Sequence, residues 1–299
     1  MEFLRILEGI RSPFLNSIIG LITQLGEETV AVVVLCAIFW CISKKVAYGI
    51  GISYFLSGLT VQGMKILFRI DRPWILDATL KPVPSALEHA TGYSFPSGHT
   101  QSATALFGAI GMQVKQKPLK AVCFIVPILV AFSRMYLGVH TLLDTGVSLV
   151  VSFLLVLLAV KVFSEEDAGN RRGLVISLVM VLYAIVVIVI AFTLYSGGTI
   201  EQSYVTDCLK AAGAGVGFAV GMYIERAYIK FPEKAKNILW QIIKFVLGFI
   251  GVLVIKEGLK LVVGTGLVVD TVRYFLMIMW VTVFFPLIIK RFFAVKTAA

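Results

Sequence analysis

Two of the three histidines in this chain lie at spacings that suit nucleophilic and acid–base chemistry. His140 precedes Asp144 by four residues, so on a helix the carboxylate can hold one ring nitrogen while the other points outward as a nucleophile. The same spacing suits a histidine that bonds a carboxylate at a helix start for stability alone. His99 follows a turn-forming segment at 96–98, where it can donate a proton to a leaving oxygen.

Three basic residues accompany these groups and predict a site for an anion. Lys65 and Arg72 are seven residues apart, or two helical turns, so both project from one face just before Pro73 ends the helix. Arg134, six residues before His140, has the planar fork that grips two phosphate oxygens. Taken alone, Lys65 and Arg72 are better explained as side chains that reach lipid headgroups at the end of a membrane span.

The segment around residue 97 predicts a helix start that can bind phosphate. Ser97 suits the N-cap of an apolar segment that begins at Thr100, and a helix N-terminus presents free N–H groups to an anion. A surface histidine that caps a helix fits the same residues. His89, the third histidine, is interpreted as an ordinary residue of the loop 71–99, the longest non-apolar stretch of the chain. Loops of this length tend to be functional.

Together the three segments resemble the signature of the type 2 phosphatidic acid phosphatase superfamily, which includes vanadium haloperoxidases and glucose-6-phosphatase. The matching patterns are Lys-x6-Arg-Pro, Pro-Ser-Gly-His and Ser-Arg-x5-His-x3-Asp, between residues 65 and 144. The resemblance implies that His140 attacks phosphorus to form a phosphohistidine, that Asp144 orients it, and that His99 protonates the departing alcohol. It implies no metal and no other cofactor. It also implies that the phosphoryl oxygens are held by Lys65, Arg72, Arg134, Ser97 and Gly98.

Composition places these residues in a membrane protein. The chain is 59% hydrophobic and 15% charged, against about 25% charged residues in soluble domains. The net charge of +10 comes from short basic clusters between apolar runs, which does not favour nucleic-acid binding. We therefore predict an all-α, polytopic membrane helical bundle with about nine spans. The apolar segments lie near 29–43, 46–68, 100–114, 119–133, 141–163, 174–195, 207–224, 238–255 and 274–291.

Three regions follow from this pattern. Residues 1–28 mix apolar and charged positions, which is typical of an amphipathic helix at the membrane interface. Residues 29–163 hold all the signature residues and form the predicted phosphatase core. Residues 164–299 lie outside the part that resembles the superfamily and add membrane helices of unknown role. Within them Gly213, Gly217 and Gly221 recur every four residues, which favours close helix packing over phosphate binding.

The distribution of Lys and Arg predicts the orientation. The loops on one side carry more basic residues, and such loops are retained in the cytoplasm. The three signature segments fall on the other side, so the site is predicted to face away from the cytoplasm, in a plasma membrane or an endomembrane. The expected reaction is metal-independent hydrolysis of a lipid phosphate or diphosphate. Two alternatives stay open: a phosphatase of a soluble sugar phosphate, resembling glucose-6-phosphatase, and a non-enzymatic lipid-binding or transport protein.

Overall fold

A computed structural model describes residues 1–88, 90–163 and 170–293, so His89 lies outside the described residues. Within these ranges all regular structure is helical. It includes one short 3₁₀ helix at Pro84–Ala86. The α-helices are α1 (Glu2–Gly9), α2 (Pro13–Gln24), α3 (Glu28–Cys41), α4 (Lys44–Phe68), α5 (Pro73–Leu76), α6 (Gly98–Gln113), α7 (Lys117–Tyr136), α8 (Leu142–Val162), α9 (Asn170–Ser196), α10 (Gln202–Ile224), α11 (Ile238–Leu253), α12 (Leu259–Val263), α13 (Leu267–Met279) and α14 (Phe285–Ile288). π-helical turns occupy Glu225–Ile229, Val254–Gly258, Trp280–Phe284 and Ile289–Phe293.

Each of the nine predicted apolar segments is helical, but the prediction of nine membrane spans is not confirmed. Six helical stretches are long and apolar enough to cross a membrane, or seven if α2 and α3, bent by 44°, form one span. Helices α6 and α10 do not meet this criterion. The reason for α6 is visible in its side chains: it has 16 residues and buries Thr100, Gln101 and Thr104 among other helices. A helix surrounded by protein does not need the length or apolarity that lipid demands.

Residues 1–28, predicted as one interfacial helix, form two helices. The break falls where Ser12 caps α2 by accepting a hydrogen bond from the N–H of Leu15, followed by Pro13 at the first helical position. Leu4 and Leu7 of α1 are buried with residues 135–139 at the end of α7. The N-terminal region is thus packed on the segment that leads into the candidate nucleophile.

The glycine repeat on α10 makes the close helix contact that its spacing predicted. A Cβ atom at Gly213 would overlap the carbonyl of Thr271, and one at Gly217 or Gly221 would overlap other parts of α13 and the turn that follows it. On its opposite face, α10 packs against α4, where the ring of Phe218 covers Gly51. Helix α10 therefore connects the core to the C-terminal helices through backbone-to-backbone packing.

The two ends of the bundle are chemically distinct. At one end Lys44 lies 3.0 Å from Glu225, and Lys290 donates a 2.5 Å hydrogen bond to the carbonyl of Ile229. Arg226 stacks over the ring of Phe163, 4.5 Å from its centroid. The end of α4, the start of α6, the end of α7 and the start of α8 meet in a second place. Arg72, which follows α4, bonds to Val139 and His140, and the N–H of Ser97 donates to the carbonyl of Asp144. The three signature segments lie at these termini.

Candidate active site

The structure brings the three signature segments into one buried cluster. The imidazole of His140 lies between the guanidinium of Arg72, with 2.9 Å from Nη1 to Nε2, and the carboxylate of Asp144, with 3.6 Å from Nδ1 to Oδ2. Both His140 and Asp144 are 1% exposed. The pairing predicted from the four-residue spacing is therefore present, although His140 precedes α8 and is not part of it.

Asp144 is fixed by the start of α8. Its Oδ2 accepts a 2.7 Å hydrogen bond from the N–H of Thr141, while the Thr141 hydroxyl accepts from the N–H of Asp144, which completes a capping box. Ser94 donates a further 2.6 Å hydrogen bond to Oδ2, and its hydroxyl lies 3.4 Å from Nδ1 of His140. This arrangement aims the carboxylate at Nδ1 and leaves Nε2 as the nitrogen that faces the cations.

The electrostatics of the cluster keep the histidine neutral. Burial and the positive charges of Arg72, Arg134 and Lys65 hold the pKa of the His140 imidazole well below its ordinary range. A neutral imidazole with its proton on Nδ1 has a lone pair on Nε2, which is the form that a nucleophile requires.

Loop 91–94 positions two of the cations. Arg72 donates 2.9 Å and 2.6 Å hydrogen bonds to the carbonyls of Gly92 and Thr91, and a 3.0 Å bond to that of Val139. Lys65 donates to the carbonyl of Tyr93. The ring of Tyr93 is in turn stacked on Tyr204 of α10, with 4.1 Å between centroids. A residue of the C-terminal region thus supports the loop that holds Lys65 and Arg72.

Arg134 is buried with incomplete hydrogen bonding. It is 1% exposed, and its Nη1 donates a 3.0 Å hydrogen bond to the hydroxyl of Thr23 in α2. Within the part of the chain that the structure describes, its Nε and Nη2 have no hydrogen-bond partner. Buried donors in folded proteins nearly always have partners, so this guanidinium is arranged to receive an acceptor such as a phosphate oxygen.

The start of α6 completes the cluster. The hydroxyl of Ser97 accepts from the N–H of Thr100 at 3.4 Å, so the predicted N-cap is present. Nε2 of His99 lies 3.9 Å from a carboxylate oxygen of Glu27. A Cβ atom at Gly26 would come within 2.6 Å of the carbonyl of His99, so this glycine permits the start of α3 to approach α6 closely. No such crowding exists at Gly98.

Four contributions were missed by sequence reasoning: Ser94, Thr23, Glu27 and the carbonyls of loop 91–93. The length of the loop 71–99 signalled that it was functional, but nothing in the sequence identified Ser94 as the partner of Asp144. Thr23 and Glu27 fall in the region that was predicted to be an interfacial helix. Their contacts with the site depend on tertiary packing.

A cavity of about 480 Å³ opens from this cluster into the helix bundle. Its upper wall includes Lys65, Arg72, His99 and His140. The rest of the lining comes mainly from the core helices α3, α4 and α6 and from the C-terminal helices α10 and α13. It includes polar and charged residues, among them Glu28, Gln62, Gln101, Ser102, Asp207 and Lys210. The apolar residues along this wall include Val32, Leu35, Ile50, Phe55, Leu59, Leu106, Ala211, Ala214, Met277, Ile278 and Val281.

Comparison with known families gives two adjacent matches. Residues 46–168 match the PAP2 superfamily, and residues 209–297 match the transmembrane extension of PAP2 superfamily phosphatases. The first match contains all eight predicted site residues. The second corrects the prediction that nothing after residue 164 is shared with the superfamily.

Similar proteins are named as lipid phosphatases. Phosphatidylglycerophosphatase B of Bacillus subtilis (strain 168) is 28% identical over 181 residues, which are 54% of this chain and 82% of that protein. Sphingosine-1-phosphate phosphatase 1 of Rattus norvegicus is 24% identical over 207 residues, 67% of this chain. The chain spans about half of that protein's length, at 46%. A crystal structure of a transmembrane PAP2-type phosphatidylglycerolphosphate phosphatase from Bacillus subtilis superposes with a TM-score of 0.45 and 24% identity, covering 53% of this chain and 81% of that one.

Proposed function

Because this chain belongs to the PAP2 superfamily and is a membrane-bound phosphatase, we propose that it hydrolyses the phosphate ester of a membrane lipid on the extracytoplasmic face. One observation carries the choice of a lipid: the cationic cluster is continuous with a cavity that has a large apolar surface among its polar lining residues. A soluble sugar phosphate, the alternative that the sequence left open, would leave this apolar surface uncovered, whereas a lipid chain would bury it.

The proposed reaction proceeds in two steps at His140. In the first, Nε2 attacks phosphorus, the ester P–O bond breaks, and His99 gives its proton to the departing lipid alkoxide. The carboxylate of Asp144, 3.6 Å from Nδ1 before substrate binds, stabilises the positive charge that develops on the ring. In the second step His99 takes a proton from water, whose oxygen attacks the phosphohistidine. The P–N bond to Nε2 then breaks, which returns His140 to its neutral form. The products are the lipid alcohol and inorganic phosphate.

The cations stabilise the charge that the phosphoryl group carries in both steps. The free donors of Arg134 bind equatorial oxygens, together with the backbone N–H groups at the start of α6, which Ser97 caps. In the structure, Nη1 of Arg72 donates a 2.9 Å hydrogen bond to Nε2 of His140. When substrate binds, the same N–H group donates to a phosphoryl oxygen instead. Lys65 supplies a third positive charge. These residues carry out the charge neutralisation that metal ions perform in other phosphoryl transfers, so the reaction is proposed to be metal-independent.

The decisive experiment measures phosphate release by purified protein in detergent with a metal chelator present. The panel contains a phosphatidylglycerophosphate, sphingosine 1-phosphate, an isoprenoid diphosphate and a hexose phosphate. We expect release from lipid substrates, and loss of release in His140→Ala, because the nucleophile is removed. Arg69→Ala is the control, since Arg69 is an exposed cation near the same helix end whose guanidinium bonds to the carbonyl of Ile66. Full activity in His140→Ala, or release from the hexose phosphate alone, would refute the proposal.

A further inference from the structure

We propose that the cavity holds an apolar chain of the substrate inside the helix bundle, and that α10 and α13 form the wall that selects chain length. The inference rests on the proposed lipid phosphatase function and adds a specificity determinant to it. It assigns a role to the C-terminal extension, which contains none of the predicted phosphate-binding or catalytic residues.

The depth of the cavity matches one leaflet of a membrane. Lining residues on α4 extend from Lys65 and Gln62, beside the cations, to Ile50. The distance from Gln62 to Ile50 is twelve residues, or about 18 Å at the rise of an α-helix. Half of a bilayer's hydrocarbon core is about 15 Å. A chain attached to a phosphate at His140 can therefore lie along α4 for its whole length without leaving the protein.

The volume admits an apolar chain. The cavity of about 480 Å³ lies within the range of pockets that enclose small ligands, about 300–1,000 Å³. An alkyl chain can therefore enter it while the phosphate stays at the cations.

The C-terminal wall is firmly attached to the core. Gly213 and Gly217 place α10 against backbone atoms of α13, and Gly221 places it against the side chain of Thr282 in the turn that follows. Gly215 brings α10 against Leu59 of α4. Interiors packed in this way change shape little. Ala211 and Ala214 of α10 line the cavity, and small side chains at these positions keep it open.

The test uses alkyl monophosphates of one chain, from butyl to hexadecyl phosphate, with wild-type protein and three variants. Ala214→Leu fills the cavity from the extension, and Gly58→Leu fills it from α4, where a Cβ atom meets only Gln101 at 3.9 Å. Ala121→Leu, on an exposed position of α7, is the control. We expect both cavity variants to lose at least tenfold in kcat/KM on hexadecyl phosphate, with less than a twofold change on butyl phosphate. We expect the control to match wild type.

Equal losses on both substrates, or no loss on hexadecyl phosphate, would overturn the proposal. A loss in Gly58→Leu without one in Ala214→Leu would overturn the role of the extension. Failure of the proposed function is distinguished by a binding measurement that does not need turnover. Labelled hexadecyl phosphate is titrated into His140→Ala and into His140→Ala/Ala214→Leu, and at least tenfold weaker binding by the double variant is expected. Equal affinity would count against the cavity whatever the enzyme hydrolyses. Elution of each variant as a single detergent-solubilised species confirms that it folds.

Discussion

Each end of the helix bundle buries a charged side chain, and the two side chains differ in how many of their hydrogen-bonding atoms have partners. At one end the carboxylate of Glu225 is 1% exposed and receives hydrogen bonds from Lys44, Tyr48 and the N–H of Phe231. At the other end Arg134 is equally buried, yet its Nε and Nη2 have no partner among the described residues. A buried charge whose hydrogen bonds are complete is costly to disrupt, whereas one with spare donors is available to a ligand. The following predictions separate these two roles.

The largest effect is expected for the orienting carboxylate. Asp144→Asn keeps an oxygen that can accept from Thr141 and Ser94, so the start of α8 should remain intact. The amide of the variant carries no negative charge to stabilise a positive His140 imidazole, and it favours the tautomer whose Nε2 carries the proton. In an enzyme whose catalytic histidine depends on a carboxylate, this change lowers kcat about 10⁴-fold. The rate of phosphate release checks the loss of kcat, and the thermal unfolding midpoint of the same variant checks that the fold is intact. A loss below tenfold would remove Asp144 from the mechanism.

Arg134→Met should reduce activity by about 10²- to 10³-fold, the usual cost of one missing donor to a transition-state oxygen. Methionine fills most of the same volume without a charge. Because it also removes two unpartnered buried donors, the unfolding midpoint should stay constant or rise. Assays of phosphate release and of thermal unfolding on the same preparation test the predicted loss of activity and the predicted stability. A lower midpoint with unchanged activity would make Arg134 a structural residue like Glu225.

Glu225→Gln is expected to show the opposite pattern. The variant weakens charge-assisted hydrogen bonds from Lys44 and Tyr48, which should lower the free energy of unfolding by about 2 kcal/mol. Phosphate release should stay within twofold of wild type, because Glu225 lies at the end of the bundle away from the site. Asp207→Asn serves as the stability control, since its pair with Lys210 is partly exposed and should contribute less than about 1 kcal/mol. Equal destabilisation by the two variants would contradict this account.

The smallest effect is predicted for Tyr204, which touches the active-site loop from α10. Tyr204→Ala removes the stacking on Tyr93, worth about 0.5–1.5 kcal/mol for an aromatic pair. If this support holds Arg72 and Lys65 in place, kcat should fall about threefold to tenfold. Tyr204→Phe keeps the stacking and should retain wild-type kcat. A similar fall in both variants would show that the hydroxyl matters and the stacking does not.

The sequence could predict features that depend on residue type and local spacing, and it could not predict contacts between distant segments. The structure brings together six residues that stood out as candidates because each carries a charge or a proton near the end of an apolar segment: Lys65, Arg72, His99, Arg134, His140 and Asp144. The glycine repeat predicted its helix contact for a similar reason, since its spacing is local. Ser94 and Thr23 are ordinary polar residues whose roles depend on contacts 50 and 111 residues away. The prediction of nine spans is not confirmed, because α6 and α10 lack the length or apolarity of the other membrane helices.

The position of the C-terminal wall has a consequence for the synthesis of the protein. The last predicted catalytic residue is Asp144, whereas the cavity also needs Ala214 and Val281. Because translation proceeds from the N-terminus, the ribosome completes the reactive groups when about half of the chain has been made, and completes the cavity only near the end. In the interval, the apolar faces of α4 and α6 that later line the cavity have no partner from α10 or α13. A chain that stops early would carry every predicted catalytic residue and lack the wall that we propose selects among lipids.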